Sequence, residues 1–215
     1  MKITYNAPVV LTYTLICTII TTVDFASGAG ENQPGWLSSI FFTVYPFGTI
    51  DNYQFAAMTL SNPLTYMRLF SHAMGHAGWG HLVGNFSFIL LIGPILEEKY
   101  GSRALLLMIF ITALFTGVLN ATLFPNALLG ASGIVFMMIL LISFTNAKKG
   151  SIPLTFILIT LLYLGKEITN AIGASDQISQ FAHIMGGIFG GLFGFFANNL
   201  PDKGPSPNGS SNLGL

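Results

Sequence analysis

Six runs of about twenty mostly apolar residues, at roughly 8–26, 76–97, 103–124, 130–147, 152–170 and 180–199, follow one another along this 215-residue chain. A helix needs a run of that length to cross the ~30 Å hydrocarbon core of a bilayer. Eight Lys and Arg and eight Asp and Glu make up only 7% of the residues, against about 25% in a soluble domain. So few charges cannot solvate the surface of a water-soluble protein of this size. The fold class expected is an all-α membrane protein, a bundle of six transmembrane helices spanning residues 1–200. One lysine, Lys2, precedes the first run and no clear small-residue cleavage site follows it, so that run is expected to stay as a helix. A net charge of zero leaves no basic face for nucleic acid. The single cysteine, Cys17, excludes an intramolecular disulfide and any multi-cysteine metal site.

The connection 27–71 is too apolar for a solvated linker, with Ile40, Phe41, Phe42, Val44, Tyr45 and Phe47 in one stretch. It reads as an interfacial structure set partly among the headgroups. Residues 201–215 are rich in Pro, Gly, Ser and Asn and read as a disordered tail. No internal repeat is visible, which weakens a transporter built from duplicated halves. With the N-terminus inside, the inner segments carry Lys2, Lys99, Arg103, Lys148, Lys149 and Lys203, and the outer ones only Arg68 and Lys166. That distribution follows the positive-inside rule and puts both termini in the cytoplasm. The second, fourth and sixth spans then begin on the outer side.

Polar residues inside spans are costly and mark function by default. Here they fall in three places: His72, His76, His81 and Asn85 at the start of the second span; Gly130-Ala131-Ser132-Gly133 at the start of the fourth; and Ala182-His183 with Gly186 and Gly187 at the start of the sixth. All three sit at similar depth in the outer part of the membrane. His81 and Asn85 are i,i+4 and share one helix face. His183 lies on a stripe of small residues running through Gly186, Gly187, Gly190, Gly191 and Gly194, and such stripes let helices approach closely in lipid. Ser132, flanked by glycines, is its natural facing partner. A serine beside a histidine is the minimum for an activated hydroxyl nucleophile. The unpaired amides that open the fourth span, with the Asn85 amide and the His81 ring N–H, can supply donors to a developing oxyanion. Asp176 precedes His183 by seven residues, about 10 Å along a helix. That is too far for a third triad member, so the constellation reads as a Ser–His dyad.

These residues resemble the rhomboid family of intramembrane serine proteases over roughly residues 66–195. The resemblance rests on the His-x3-His-x4-His-x3-Asn series of His72, His76, His81 and Asn85 and on Gly93-x3-Glu97-x3-Gly101. It continues through Gly130-Ala131-Ser132-Gly133 and closes on Ala182-His183-x2-Gly186 with Gly190. It implies Ser132 as the nucleophile and His183 as general base and then acid. Asn85 and His81 would line the oxyanion hole with the Ser132 amide. The implied substrate is a single-span membrane protein cut in or near its transmembrane segment, and the implied location is the cell membrane with the site facing outward. The segment 27–71 would be the lateral loop, with Arg68 matching the arginine of the family's Trp-Arg pair. Met67 stands where the tryptophan of that pair is expected, and Phe136 stands where many members carry tyrosine. Phe136 can still stack on the His183 ring but cannot hydrogen-bond.

Blander readings stand beside these. Serine at a helix start is often a cap, and His81, Asn85 or His183 could be polar glue between helices. His72 and His76 have an i,i+4 spacing that suits zinc, but no HExxH motif or nearby carboxylate accompanies them, so no metal and no cofactor is expected. With Gly130 and Phe136, His76 is instead a candidate for lining a polar cavity open to the outer side. Glu97 is expected to accept from unpaired backbone amides at a helix end. A non-catalytic, client-binding relative would not need Ser132 or His183. A channel would need a polar path inward, and the inner halves of the second, fourth and sixth spans are nearly all apolar (Phe88 to Leu91, Met137 to Ile142, Phe189 to Phe196).

Overall fold

The computed structural model describes residues 5–49, 58–164 and 177–199. They form α1 (Pro8–Ala26), α2 (Trp36–Phe41), α3 (Pro63–Ser71), α4 (Gly78–Tyr100), α5 (Ser102–Leu123), α6 (Ser132–Ile142), α7 (Leu154–Ile159) and α8 (Gln177–Asn199). The last turn of α7 runs on as a π-helical turn, Thr160–Leu164. The described chain is all-helical apart from one isolated β-bridge between Val44 and Leu128. Lys2, Lys166, Asp176, Lys203 and the expected tail lie outside the described residues.

Three of the described helices, α1, α4 and α5, are each long and apolar enough to cross a membrane. Their polar side chains do not spoil this. Thr14, Thr18 and Thr22 on α1 each return their hydroxyl to the carbonyl four residues back, at 2.7–2.8 Å. A hydroxyl satisfied within its own helix can face lipid. Large apolar side chains such as Leu91, Leu107 and Phe196 remain exposed on the flanks, where lipid rather than water is the solvent.

Residue choice at the helix ends decides how the helices meet. Glu97, near the end of α4 and buried, accepts from the Val9 and Val10 amides at 2.9 and 3.0 Å and from the Ser102 hydroxyl at 2.7 Å. The start of α1 is therefore pinned to the α4–α5 junction, beside Lys99 and Arg103, and Glu97 does meet unpaired amides as its position suggests. Gly93 packs directly on Val10, so α1 and α4 run antiparallel in close contact. At the other end Asp24 turns back to accept from the Leu37 and Ser38 amides that open α2. Asn62 caps α3 through the Leu64 amide, and Pro63 follows at the first helical position.

The described parts of the connection 27–71 hold two short helices packed on the bundle, with Val44, Met58, Thr65, Arg68 and Ser71 buried. Arg68 is fully buried, donating from Nε to the Ile40 carbonyl at 2.7 Å and lying over the Tyr45 ring.

α6 departs from expectation. The apolar run suggests a span over 130–147, but the helix covers Ser132–Ile142, 11 residues or about 16 Å. Every residue from Gly133 to Leu141 is buried. It is the central helix, walled by protein rather than lipid, so hydrophobic length says nothing about how far it reaches. Part of the stripe of small residues on α8, Gly186, Gly190 and Gly194, lies against it and the residues just after it, while Gly191 faces Phe156 of α7. A methyl on Gly186 would land on the Gly133 carbonyl, one on Gly190 on the Met137 carbonyl, and one on Gly194 on the Phe144 ring. The pairs advance together along both helices, so α6 and α8 run parallel and nearly in backbone contact.

Candidate active site

The first turns of α4, α6 and α8 share one end of the bundle, and they bring His76, His81, Asn85, Gly130, Ser132, Phe136 and His183 to it. α6 opens after Gly130, whose φ of +117° suits a residue without a side chain. Its amide donates to the His72 carbonyl at 2.9 Å, which ties the start of α6 to the turn before α4. The His81 ring covers Gly130 so closely that a methyl there would meet its Cε1 and Nε2 at 2.6 and 2.7 Å, with the Asn85 Nδ2 at 3.8 Å. Asn85, one turn below His81 and buried, donates from Nδ2 to the His81 carbonyl at 3.2 Å. The i,i+4 face inferred for this pair therefore points at Gly130.

The His81 tautomer follows from its other nitrogen. Nδ1 accepts from the Ala77 amide at 3.3 Å, so in the neutral ring the proton sits on Nε2, the atom beside Gly130. His76 is almost wholly enclosed, its ring edge-on to His81 at 5.1 Å and to Phe86 at 5.6 Å. His72 stands apart from this group of rings. It faces α5, with Nε2 at 3.0 Å from the Ala113 carbonyl and 3.4 Å from the Thr116 hydroxyl.

Ser132 occupies the first position of α6, partly buried. No side chain caps this terminus, so its first amides keep their hydrogen-bonding capacity. Facing it on α8 are Ala182, whose carbonyl lies 3.2 Å from where a Gly133 Cβ would sit, and Gly186 on the Gly133 carbonyl. His183 lies between them. Its ring stacks flat on Phe136, one turn below Ser132, with centroids 4.2 Å apart and planes 9° apart. It is also close enough to His81 to interact electrostatically. A hydroxyl, an imidazole stacked on an aromatic face, uncapped helix amides, a ring N–H and a carboxamide N–H₂ thus lie on neighbouring turns at one end of the bundle. Those are the parts of acyl transfer through an alkoxide nucleophile. Among the described residues no cluster of His, Cys, Asp and Glu could hold a metal ion.

One participant was not singled out from the sequence. The Trp79 and Gly80 amides at the start of α4 donate to the two carboxylate oxygens of Glu31, each at 3.3 Å. The signal available was negative: Ala77-Gly78-Trp79-Gly80 offers no capping side chain, so an acceptor had to come from elsewhere.

Residues 63–199 match the family model of the Rhomboid domain. The chain is 34% identical over 146 residues to RHOMBOID-like protein 1 of Arabidopsis thaliana, covering 64% of this chain and 36% of that protein. It is 32% identical over 145 residues to Rhomboid protease GluP of Bacillus subtilis, covering 65% of this chain and 27% of that one. Against Rhomboid protease GlpG of Haemophilus influenzae it is 24% identical over 136 residues, 62% of this chain and 70% of that one. The chain thus spans about a third or less of the first two relatives' length.

Proposed function

Because this chain belongs to the rhomboid family, we propose that it is an intramembrane serine endopeptidase. It cuts single-span membrane proteins in or near their transmembrane segment with a Ser132–His183 dyad and no cofactor. What carries the reading is the convergence of three chain segments: the His183 ring stacked on Phe136 one turn below Ser132, with His81 and Asn85 against Gly130.

In this mechanism His183 takes the Ser132 hydroxyl proton as the oxygen attacks the scissile carbonyl carbon. The carbonyl oxygen becomes an oxyanion, held by the Ser132 amide at the positive end of α6, by His81 Nε2–H and by the Asn85 amide. His183 then gives its proton to the leaving amine as the C–N bond breaks, leaving an acyl-enzyme ester. Water, losing its proton to His183, attacks that ester and releases the acid and the serine. A peptide bond is reachable only if the substrate helix unwinds locally, since in a helix its carbonyl is shielded by the next turn. Segments with helix-destabilising residues are therefore the preferred substrates.

The same reading takes residues 1–200 as one six-span domain with both termini cytoplasmic, 27–71 as its lateral loop and 201–215 as a cytoplasmic tail. The site opens outward from the cell membrane. Purified protein incubated with a labelled single-span substrate should cleave it, and Ser132→Ala and His183→Ala should each abolish cleavage without loss of fold. Lack of cleavage together with lack of labelling of Ser132 by a fluorophosphonate would instead favour a client-binding protein that makes no use of the dyad.

A further inference from the structure

We infer that Glu31 is a positioning residue for the reaction: from the connection after α1, its carboxylate holds the first turn of α4, and with it His81 and Asn85, in register with Ser132. This rests on the protease reading above and assigns the part of that site lying outside the Rhomboid-domain match at 63–199. α4 has no side-chain cap of its own, and its N-cap residue is Ala77. Its Trp79 and Gly80 amides go instead to Glu31, one to each carboxylate oxygen, at 3.3 Å. Gly78 makes the approach possible. Its φ is +84°, and a Cβ there would collide with Glu31 Oε2. The connection carrying Glu31 is itself fixed on both sides, by the Asp24 carboxylate on the α2 amides and by Phe25, which meets the Trp79 ring at 6.5 Å.

His81 immediately follows the clamped residues, and its Nδ1 accepts from the Ala77 amide within the same turn. If that turn frays, the acceptor that fixes the His81 tautomer moves, and the Nε2 proton no longer points at Gly130. Ser132, His183 and Phe136 belong to α6 and α8, which Glu31 does not touch. Losing the clamp should therefore weaken transition-state stabilisation while sparing the nucleophile, its base and substrate binding.

The test uses the full chain in lipid with a single-span substrate, comparing Glu31→Gln, Glu31→Ala, His81→Ala and the Glu31→Ala/His81→Ala double variant. Glu31 is exposed, so these variants are expected to fold; the final extent of fluorophosphonate labelling at Ser132 checks it. Glu31→Ala should lower kcat roughly five- to tenfold, the scale of one lost helix cap, with KM nearly unchanged. Glu31→Gln keeps one acceptor oxygen and should recover part of the loss. The double variant should be no slower than His81→Ala alone, because Glu31 acts through that ring. Unchanged kcat in Glu31→Ala, a loss confined to KM, or losses that multiply in the double variant would each overturn the inference while leaving the protease reading intact. If the unmutated chain neither cleaves nor labels at Ser132, the protease reading fails and this inference falls with it.

Discussion

At Gly186, α8 rests directly on the Gly133 carbonyl of α6, one residue after Ser132, so Gly186→Ala should separate the two helices at the site. The added methyl would sit well inside the ~3.3 Å at which carbon and a carbonyl oxygen ordinarily meet. The obstructing atom is backbone in the middle of a buried helix pair and cannot rotate away, so α8 must retreat by about an ångström. A displacement of that size between reacting groups costs on the order of a hundredfold in rate. Overpacking of this kind also costs about 1–3 kcal/mol of stability, and the two effects must be told apart. Gly194→Ala serves as the control. It lies eight residues further along α8, about 12 Å away, and its methyl would meet the Phe144 ring. It should lose comparable stability yet keep its turnover within about threefold, since distant sites act independently. The assay is kcat on a single-span substrate beside unfolding midpoints in the same detergent. Gly186→Ala turning over at the unmutated rate, or Gly194→Ala slowing as much as Gly186→Ala, would refute the reasoning.

Phe136→Ala should slow turnover by up to about tenfold through loss of the flat stack that fixes the His183 plane, and Phe136→Tyr should restore it, read as kcat. Glu97→Ala leaves the Val9 and Val10 amides without their acceptor and should destabilise by about 2–3 kcal/mol with turnover per folded molecule unchanged, read by denaturant titration.

How much of this could be read beforehand depended on whether the information was local. The runs 8–26 and 103–124 became Pro8–Ala26 and Ser102–Leu123, because a long apolar run has one inexpensive conformation in lipid. The run 130–147 overstated α6, since apolar composition does not distinguish a helix walled by lipid from one walled by other helices. The short helices α2 and α3 went unread inside the connection, although Asn62-Pro63 is a local start signal. His76, His81, Asn85, Ser132 and His183 could be picked out as candidates because polar groups in an apolar chain stand out. Their partners across the bundle could not. Glu31 lies 48 residues before Trp79 and Glu97 lies 88 after Val9, and nothing in either neighbourhood names the other.

Those remote carboxylates share a physical cause. The first amides of a helix have no partner within it, and this chain places no Ser, Thr, Asp or Asn at the N-caps of α1, α2 or α4, which are Ala7, Gly35 and Ala77. Each is served instead by an acid from another segment: Glu97 for α1, Asp24 for α2 and Glu31 for α4. Capping at a distance ties helices together as well as satisfying them, so the few acidic residues this chain carries also act as cross-links. α6 is treated differently. Its terminus begins beside Gly130 and Ser132, and among the described residues no carboxylate is brought to it. On the proposed function the difference is required, because a resident carboxylate there would occupy the amides that a developing oxyanion must reach, and would repel its charge. A carboxylate introduced at Ala131, as in Ala131→Asp, should therefore suppress turnover, and because Ala131 is fully buried in the core it should also lower stability. Ala131→Asn, of nearly the same size but uncharged, is the control: unfolding midpoints should fall in both variants, while kcat per folded molecule should stay higher in Ala131→Asn. Equal kcat in the two would mean that charge at the amides of α6 has no bearing on the reaction.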